Sequence, residues 1–406
     1  MALIIATAFF TACSNRSYNV KRTNHTTSIK DLIAPPGMVY VPSGTVMLGA
    51  SGDSTDMKKY RLSAFYIDKT AITNKQYRQF VYWVRDSIAI TDHLKDRQYF
   101  SRTRTRHKDS TVRENINWDK VGDGSSIWKS RNFKTQEKLQ GMYSDNELNT
   151  SLLNYRFELP LANKSKDKKS SSELINVWPD ETVWEQDFPN SQNDLMTKSF
   201  FTHPSFDDYP VVGISWKQAR AFAAWRSKIW KAYNYKMKNP KLISLPMDLP
   251  TEAQRAYVDV LPFQTKEVIM IDTATGKKSK IKQVSEVQLG RENLTYVKPA
   301  MLNSPNQFGL YNTNGNVAEW TLNTFTNSWQ AFVHPINPIL VFDANDNDDD
   351  GLKRKVVYGT SWKDDPNNKP SKRTAELQDQ SKSFIGFRCV MLAPETTNEK
   401  STSSKK

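Results

Sequence analysis

Thiols, imidazoles and grouped carboxylates are the side chains most often used for chemistry. This chain offers two cysteines, Cys13 and Cys389, and five histidines, His25, His93, His107, His203 and His334. No two histidines stand four apart, so no helix turn presents a pair of imidazoles to one zinc ion. Neither a phosphate-cradling Gly-x-x-x-x-Gly-Lys nor a Gly-x-Ser-x-Gly nucleophile elbow occurs. Asp346-Asn347-Asp348-Asp349-Asp350-Gly351 begins like a calcium loop, but Val357 stands where such a loop needs a bidentate glutamate. That segment reads as a solvated acidic loop balancing Lys353, Arg354 and Lys355.

The thiol with an assignable reaction is Cys13. It follows MALIIATAFFTA, an apolar stretch too short to cross a bilayer and ending in small residues, as a signal-peptide core does. Phe10-Thr11-Ala12-Cys13 resembles the bacterial lipobox, in which the cysteine sulfur takes a diacylglyceryl group and the leader is cut before it. Each buried CH₂ contributes about 0.8 kcal/mol, so two or more acyl chains give stable anchoring. Cys389 lies in the apolar run IGFRCVM, where a lone thiol is a small buried hydrophobe. A lipidated Cys13 leaves no intramolecular disulfide, so the fold must rely on its core.

The elements that position these residues follow from local signals. The chain of 406 residues has 38% hydrophobic content and 11 Trp, 16 Tyr and 19 Phe, enough for a sizeable core. A mean hydropathy of −0.66 with no apolar run near the length of a spanning helix argues for a soluble body. Residues 1–12 are expected to be the signal peptide, 13–36 a lipidated, flexible tether, 37–394 the folded domain, and 395–406 a disordered polar tail. GMVYVPSGTVMLG gives two β-rich runs about a Pro-Ser-Gly turn, a hairpin candidate. Thr73, Ser215 and Thr251 each precede a glutamine by three residues, the spacing of a capping box at a helix start. Tyr77, Phe80, Val81 and Val84, and then Ala219, Phe222, Ala223 and Arg226, follow the first two caps at helical spacing. The charged stretch 92–206, with its scattered tryptophans, reads as an insertion decorating the domain. Segments 268–272 and 281–284 flank TATGKKSK as a second hairpin.

The formal charge of +14 gathers in clusters at 102–108, 164–169, 277–282, 353–355 and the terminal SSKK. Solvated loops account for these most simply, and a surface facing anionic headgroups or an acidic partner is the alternative. Nucleic acid is disfavoured, since the leader exports the chain and the clusters lack interleaved stacking aromatics.

A series of segments in fixed order is more specific: GMVYVPSGTVMLG, FYIDKTAITNKQYRQFV, YPVVGISWKQARAFAAW, LPMDLPTEAQRAYV, FGLYNTNGNVAEW, VVYGTSWKDD and IGFRCVM. Together they resemble the formylglycine-generating-enzyme (sulfatase-modifying factor) family over residues 37–391. The resemblance implies that family's α+β, C-type-lectin-like fold, with long loops and here the large insertion. In active members two cysteines bind copper and react with substrate, the first soon after a Gly-Gly-Ser-aromatic motif. The corresponding segment is Gly359-Thr360-Ser361-Trp362, and no cysteine lies between Trp362 and Arg388. One structural thiol cannot build a copper(I) site, so neither copper nor a catalytic residue is expected. A family calcium site maps onto Asn312, Gly315, Val317 and Glu319, an oxygen set suited to a hard cation.

Within the family the closer similarity is to the gliding-motility and type IX secretion lipoproteins of the GldK and PorK group. It is carried by FVYWVRDSI, KRKV, SWKD and KSFIGFRCVM. This implies a non-enzymatic lipoprotein at the periplasmic face of the outer membrane, self-associating into a ring with a GldN- or PorN-like partner. The start Cys13-Ser14-Asn15-Arg16-Ser17-Tyr18 has no early acidic residue, which fits the inner leaflet. The insertion is the expected place for ring contacts. Two other readings stay open: a calcium-assisted glycan or peptidoglycan binder with Trp320 or Trp362 as a stacking platform, and a residual formylglycine-generating-type oxidase.

Overall fold

Three reciprocal caps start the helices that hold the fold. Thr73, Ser215 and Thr251 each accept the amide of a glutamine three residues on, and each glutamine side chain accepts the cap residue's own amide. The helices Asn74–Ile88, Trp216–Met237 and Glu252–Val258 begin there, as their spacing predicts. Each cap satisfies amides that would otherwise be orphaned and contributes about 1 kcal/mol. Tyr77, Phe80, Val81 and Val84 are buried on one face of the first helix. That face meets the second helix: Tyr77 stacks on Phe222 at 5.6 Å and Phe80 approaches Trp225 at 5.3 Å.

This computed structural model describes residues 32–49, 56–103, 113–122, 125–158, 172–191, 194–239, 241–259, 263–271, 278–286, 296–302, 304–365 and 372–394. The leader, Cys13, most of the tether, the 164–169 cluster and the tail 395–406 lie outside them. Among the described residues no helix is long and apolar enough to cross a membrane.

Two four-stranded sheets organise the α+β core. One orders Met38–Val41, Phe65–Asp68, Val390–Leu392 and Met247–Asp248, so the first and last core strands both pair with Phe65–Asp68. The other orders Arg373–Leu377, Arg354–Tyr358, Ala318–Thr324 and Ile385–Gly386, the last pair being parallel. Every residue of Ala318–Thr324 is buried, because this strand has partners on both edges and packing on both faces.

The hairpin expected around Pro42 and Ser43 does not form. Met38–Val41 pairs with Phe65–Asp68, whereas Gly44–Leu48 pairs with Lys58–Leu62 in a separate two-stranded sheet. The turn hands the chain from one sheet to another, since the fully buried strand Phe65–Asp68 is a better apolar partner for Met38 and Val41. The later hairpin is present: Phe263–Ile271 pairs with Lys278–Glu286, with Val268 opposite Ile281.

The stretch 92–206 is more than decoration. Met142, Leu153, Phe157, Val177 and Phe201 enter the principal core beside Tyr77 and Phe222. Val121, Ile127 and Leu139 form a smaller cluster with Ala89, Ile90 and Leu94 at the end of the first helix.

Candidate functional site

Three segments converge on one buried carboxylate. The strand Ala318–Thr324 places Glu319 opposite Tyr358 on one side and Gly386 on the other. Glu319 is wholly buried, and both of its oxygens accept from guanidinium groups: Oε2 from Arg255 Nε and Oε1 from Arg388 Nε, each at 2.8 Å. Arg255 comes from the short helix Glu252–Val258 and Arg388 from the turn after Ile385–Gly386.

The same two arginines take up the neighbouring main-chain oxygens. Arg388 donates to the carbonyls of Asp68 and Lys69 at 3.1 and 2.7 Å, to Asn312 at 3.3 Å, and to Tyr311. Arg255 donates to the carbonyl of Thr313. Fixed positive charge therefore occupies a loop rich in oxygen acceptors.

Asn312, Gly315, Val317 and Glu319 do come together in this region. Asn312, at φ +46°, donates its side-chain amide to the carbonyls of Pro299 and Ala300 at 3.1 Å each. Gly315, at φ +96°, makes the turn and donates its amide to Thr360 at 3.0 Å. Val317 is buried, with Gly386 so close that a Cβ there would meet its side chain at 3.1 Å. As arranged, these residues do not fit calcium. The ion needs about six to eight oxygens at roughly 2.3–2.6 Å, whereas Glu319 has both oxygens engaged by cations that would repel it. Among the described residues, no group of three or more His, Cys, Asp or Glu is placed to hold a metal.

The segment 359–364, which follows the strand Arg354–Tyr358, is held by several hydrogen bonds and ring contacts. Gly359, at φ +100°, donates to Lys372 at 2.8 Å, and the amide of Trp362 donates to Asn316 at 2.9 Å. Asp364 accepts from the amide and hydroxyl of Ser361 at 2.6 and 2.9 Å. The Trp362 indole is only 9% exposed and stacks on Trp184 at 6.0 Å and Phe188 at 5.7 Å. Trp184 and Asp187 belong to the short helix Val183–Asp187 within the insertion, which Phe188 caps, and Asp187 pairs with Lys363 and accepts from the Ser383 hydroxyl. Trp320 is wholly buried and donates its indole N–H to Ile214 at 2.8 Å. Neither tryptophan thus presents an open face on which a sugar ring can stack.

Cys389 has the inert surroundings its apolar neighbours predict. It is wholly buried beside the end of the strand Phe65–Asp68: its carbonyl accepts the Asp68 amide at 3.1 Å and its amide donates to the Asp68 carboxylate at 2.9 Å. Burial, reinforced by Asp68, pushes its thiol well above the usual range, so it stays protonated and non-nucleophilic.

Sequence reasoning placed Lys355 in a solvated patch, but the residue is wholly buried. Its ammonium lies 4.4 Å from the Trp216 ring centre and donates to the Phe342 carbonyl. Arg220 sits over the same ring at 4.8 Å and pairs with Asp248 and Asp343 at 2.9 Å each. Burial pushes the Lys355 pKa down to about 8, against the pull of Asp343. Lys355, Val356 and Val357 are buried in succession on Arg354–Tyr358, a strand covered on both faces between two neighbours, so alternation along the sequence does not reveal the burial of Lys355. Nearby, Asn176, Asp180, Lys217, Asp346 and Asp379 line an open polar cleft of about 550 Å³, with Lys217 3.0 Å from both Asp346 and Asp379.

The sequence profile of the sulfatase-modifying factor enzyme 1-like domain matches residues 25–393. No curated protein sequence matches the chain. Among solved structures it is similar to PvdO from Pseudomonas aeruginosa, at 14% identity over 87% of this chain and 94% of that one, with a TM-score of 0.40. It is also similar to CarF, at 14% identity over 89% and 99% of the two chains and a TM-score of 0.36. Treponema denticola variable protein 1 matches at 13% identity over 87% and 94%, with a TM-score of 0.39.

Proposed function

The chain belongs to the sulfatase-modifying factor enzyme 1-like domain family, and from that premise we propose that it is a non-enzymatic assembly protein. In this reading it is a lipoprotein held through Cys13 at the periplasmic face of the outer membrane. There it associates with copies of itself and with a GldN- or PorN-like partner in a type IX secretion and gliding apparatus.

The observation that carries the reading is the state of loop 358–364. In the family's enzymes this loop leads to a reactive thiol pair. Here it has no thiol, and the inserted helix Val183–Asp187 with its C-cap Phe188 packs Trp184, Asp187 and Phe188 against it. Cys389, buried and protonated, is no substitute nucleophile. A glycan-binding role is less well supported, because Trp320 and Trp362 are turned into the core. Glu319, placed between two guanidiniums, serves the proposed protein as a structural acid and calls for no bound calcium.

Because the insertion supplies core side chains, deleting it would unfold the domain and could not isolate its role in assembly. The informative experiment is cross-linking in intact envelopes, detergent extraction and mass spectrometry of what copurifies, with the mass of the peptide starting at Cys13 read in the same run. A diacylated Cys13 and a stoichiometric periplasmic partner are expected. An unmodified cysteine, or an isolated monomer, overturns the proposal.

A further inference from the structure

The insertion carries a two-stranded sheet of its own, Asn154–Glu158 paired with Ser172–Asn176. The register decides which main-chain groups are spent. Val177 donates its amide to the Leu153 carbonyl at 2.9 Å, so bonded pairs alternate from there: Tyr155 with Ile175, then Phe157 with Glu173. Ser172, Leu174 and Asn176 must therefore point their N–H and C=O groups away from the partner strand, to the free edge. One end of that edge is taken, because the Gln218 side chain donates to the carbonyls of Asn176 and Trp178 at 3.1 and 2.8 Å. Leu174 is different: neither its amide nor its carbonyl has a hydrogen-bond partner among the described residues.

The same edge borders the polar cleft described above. Residues 174–176 line it together with Asp180, Lys217, Asp346 and Asp379, so three carboxylates stand against one ammonium. Lys217 lies 3.0 Å from both Asp346 and Asp379, yet those side chains remain 84% and 49% exposed. Acceptor oxygen is left over for a second cation. Leu174, itself 56% exposed, adds an apolar shelf beside the acids on which the stem of a long basic side chain can lie.

We propose that this edge and cleft receive the basic segment 102–106 of a second copy of the chain, added to Ser172–Asn176 as a further strand. An unpaired strand edge is a template for such pairing. The segment reads Arg-Thr-Arg-Thr-Arg. In an extended strand alternate side chains share a face, so its three arginines would stand together, with β-branched threonines on the other side. Main-chain bonds to Leu174 then supply the hold, and guanidiniums on Asp180, Asp346 and Asp379 supply the register, the division of labour found in strand addition. Charge favours this occupant: copies of formal charge +14 repel one another in general, and a cleft of opposite sign directs their approach. Edge and basic segment are different patches of one chain, so the contact is head-to-tail, the kind that can close into a ring. The proposal rests on the self-association inferred above and names its contact.

The test uses the full chain with Cys13→Ser, so that acylation plays no part. A fluorescein-labelled peptide with the sequence of residues 102–108 is titrated with it and followed by anisotropy. Saturable binding that weakens with salt is expected. Asp346→Asn with Asp379→Asn should weaken it on the order of tenfold or more at an unchanged unfolding midpoint. Methylating alternate peptide amides, which keeps every charge and leaves the protein untouched, should cost about fivefold. Chains bearing Leu174→Cys are then mixed with chains bearing Thr103→Cys and oxidised. A disulfide between the two needs Cα atoms within about 7 Å, and in this mixture it can form only between copies. A heterodimer band that the free peptide suppresses is expected. No peptide binding, or binding indifferent to the aspartates or to amide methylation, overturns the proposal. Peptide binding without the heterodimer overturns the second copy as occupant and points to a basic strand of another protein. Self-association that persists when the peptide fails to bind overturns this contact alone and leaves the assembly reading standing.

Discussion

Glu319 and Arg255 meet with Oε2 2.8 Å from Nε, both side chains wholly removed from solvent, and Arg388 takes the other carboxylate oxygen at the same distance. One negative charge thus holds two positive ones at the junction of three segments. Removing it leaves buried cations uncompensated, the most costly way to break such a group.

Glu319→Gln should therefore destabilise the domain by about 3–5 kcal/mol, read from urea unfolding monitored by tryptophan fluorescence. Adding a chelator to the parent chain should leave its unfolding midpoint where it was. A midpoint that falls with chelator and returns with calcium would show that an ion, not the arginines, satisfies this loop.

Lys355 gives a pH signature with a definite sign. Its folded pKa, about 8, lies below the ordinary lysine value of 10.5, so between these values the unfolded chain binds more proton than the folded one. Stability contributed through this group must rise with pH across that window, and the cost of the buried ammonium is fully present below pH 8. Urea midpoints of the parent chain and Lys355→Met, compared at pH 7, 8, 9 and 10, should converge or cross in the parent's favour as pH rises. Parallel profiles would show that the ammonium is not held in the buried setting described.

Cys389 should be silent to thiol reagents while the domain is folded. In the Cys13→Ser chain at pH 8, a chromogenic disulfide reagent is expected to react only after denaturant is added, with a single equivalent. Rapid reaction without denaturant would refute the burial on which the loss of nucleophilic function rests.

The proposed lack of enzymatic activity can be examined directly. A cysteine-bearing sulfatase peptide, oxygen and copper(I) should yield no aldehyde by mass spectrometry and no oxygen uptake above the peptide's own. Catalytic turnover that survives Cys389→Ala would restore the oxidase reading through residues other than thiols.

What the sequence determines by itself is local. The capping boxes at Thr73, Ser215 and Thr251 are each complete within four residues, so the helix starts are legible from spacing alone. The same holds for the pair Phe263–Ile271 and Lys278–Glu286, which are separated by only six residues of sequence. The count of two cysteines, Cys13 and Cys389, is likewise read directly. Pairing between distant segments is not legible in this way. Met38–Val41 could as well have closed on Gly44–Leu48, and only packing against Phe65–Asp68 decides otherwise. The resemblance carried by the seven ordered motifs implies a calcium site at Glu319, because its oxygens are visible in sequence. Its real counterions are Arg255 and Arg388, 64 and 69 residues away along the chain. A carboxylate is satisfied by whichever cation is nearest once the chain has folded, and that distance is set by the tertiary structure.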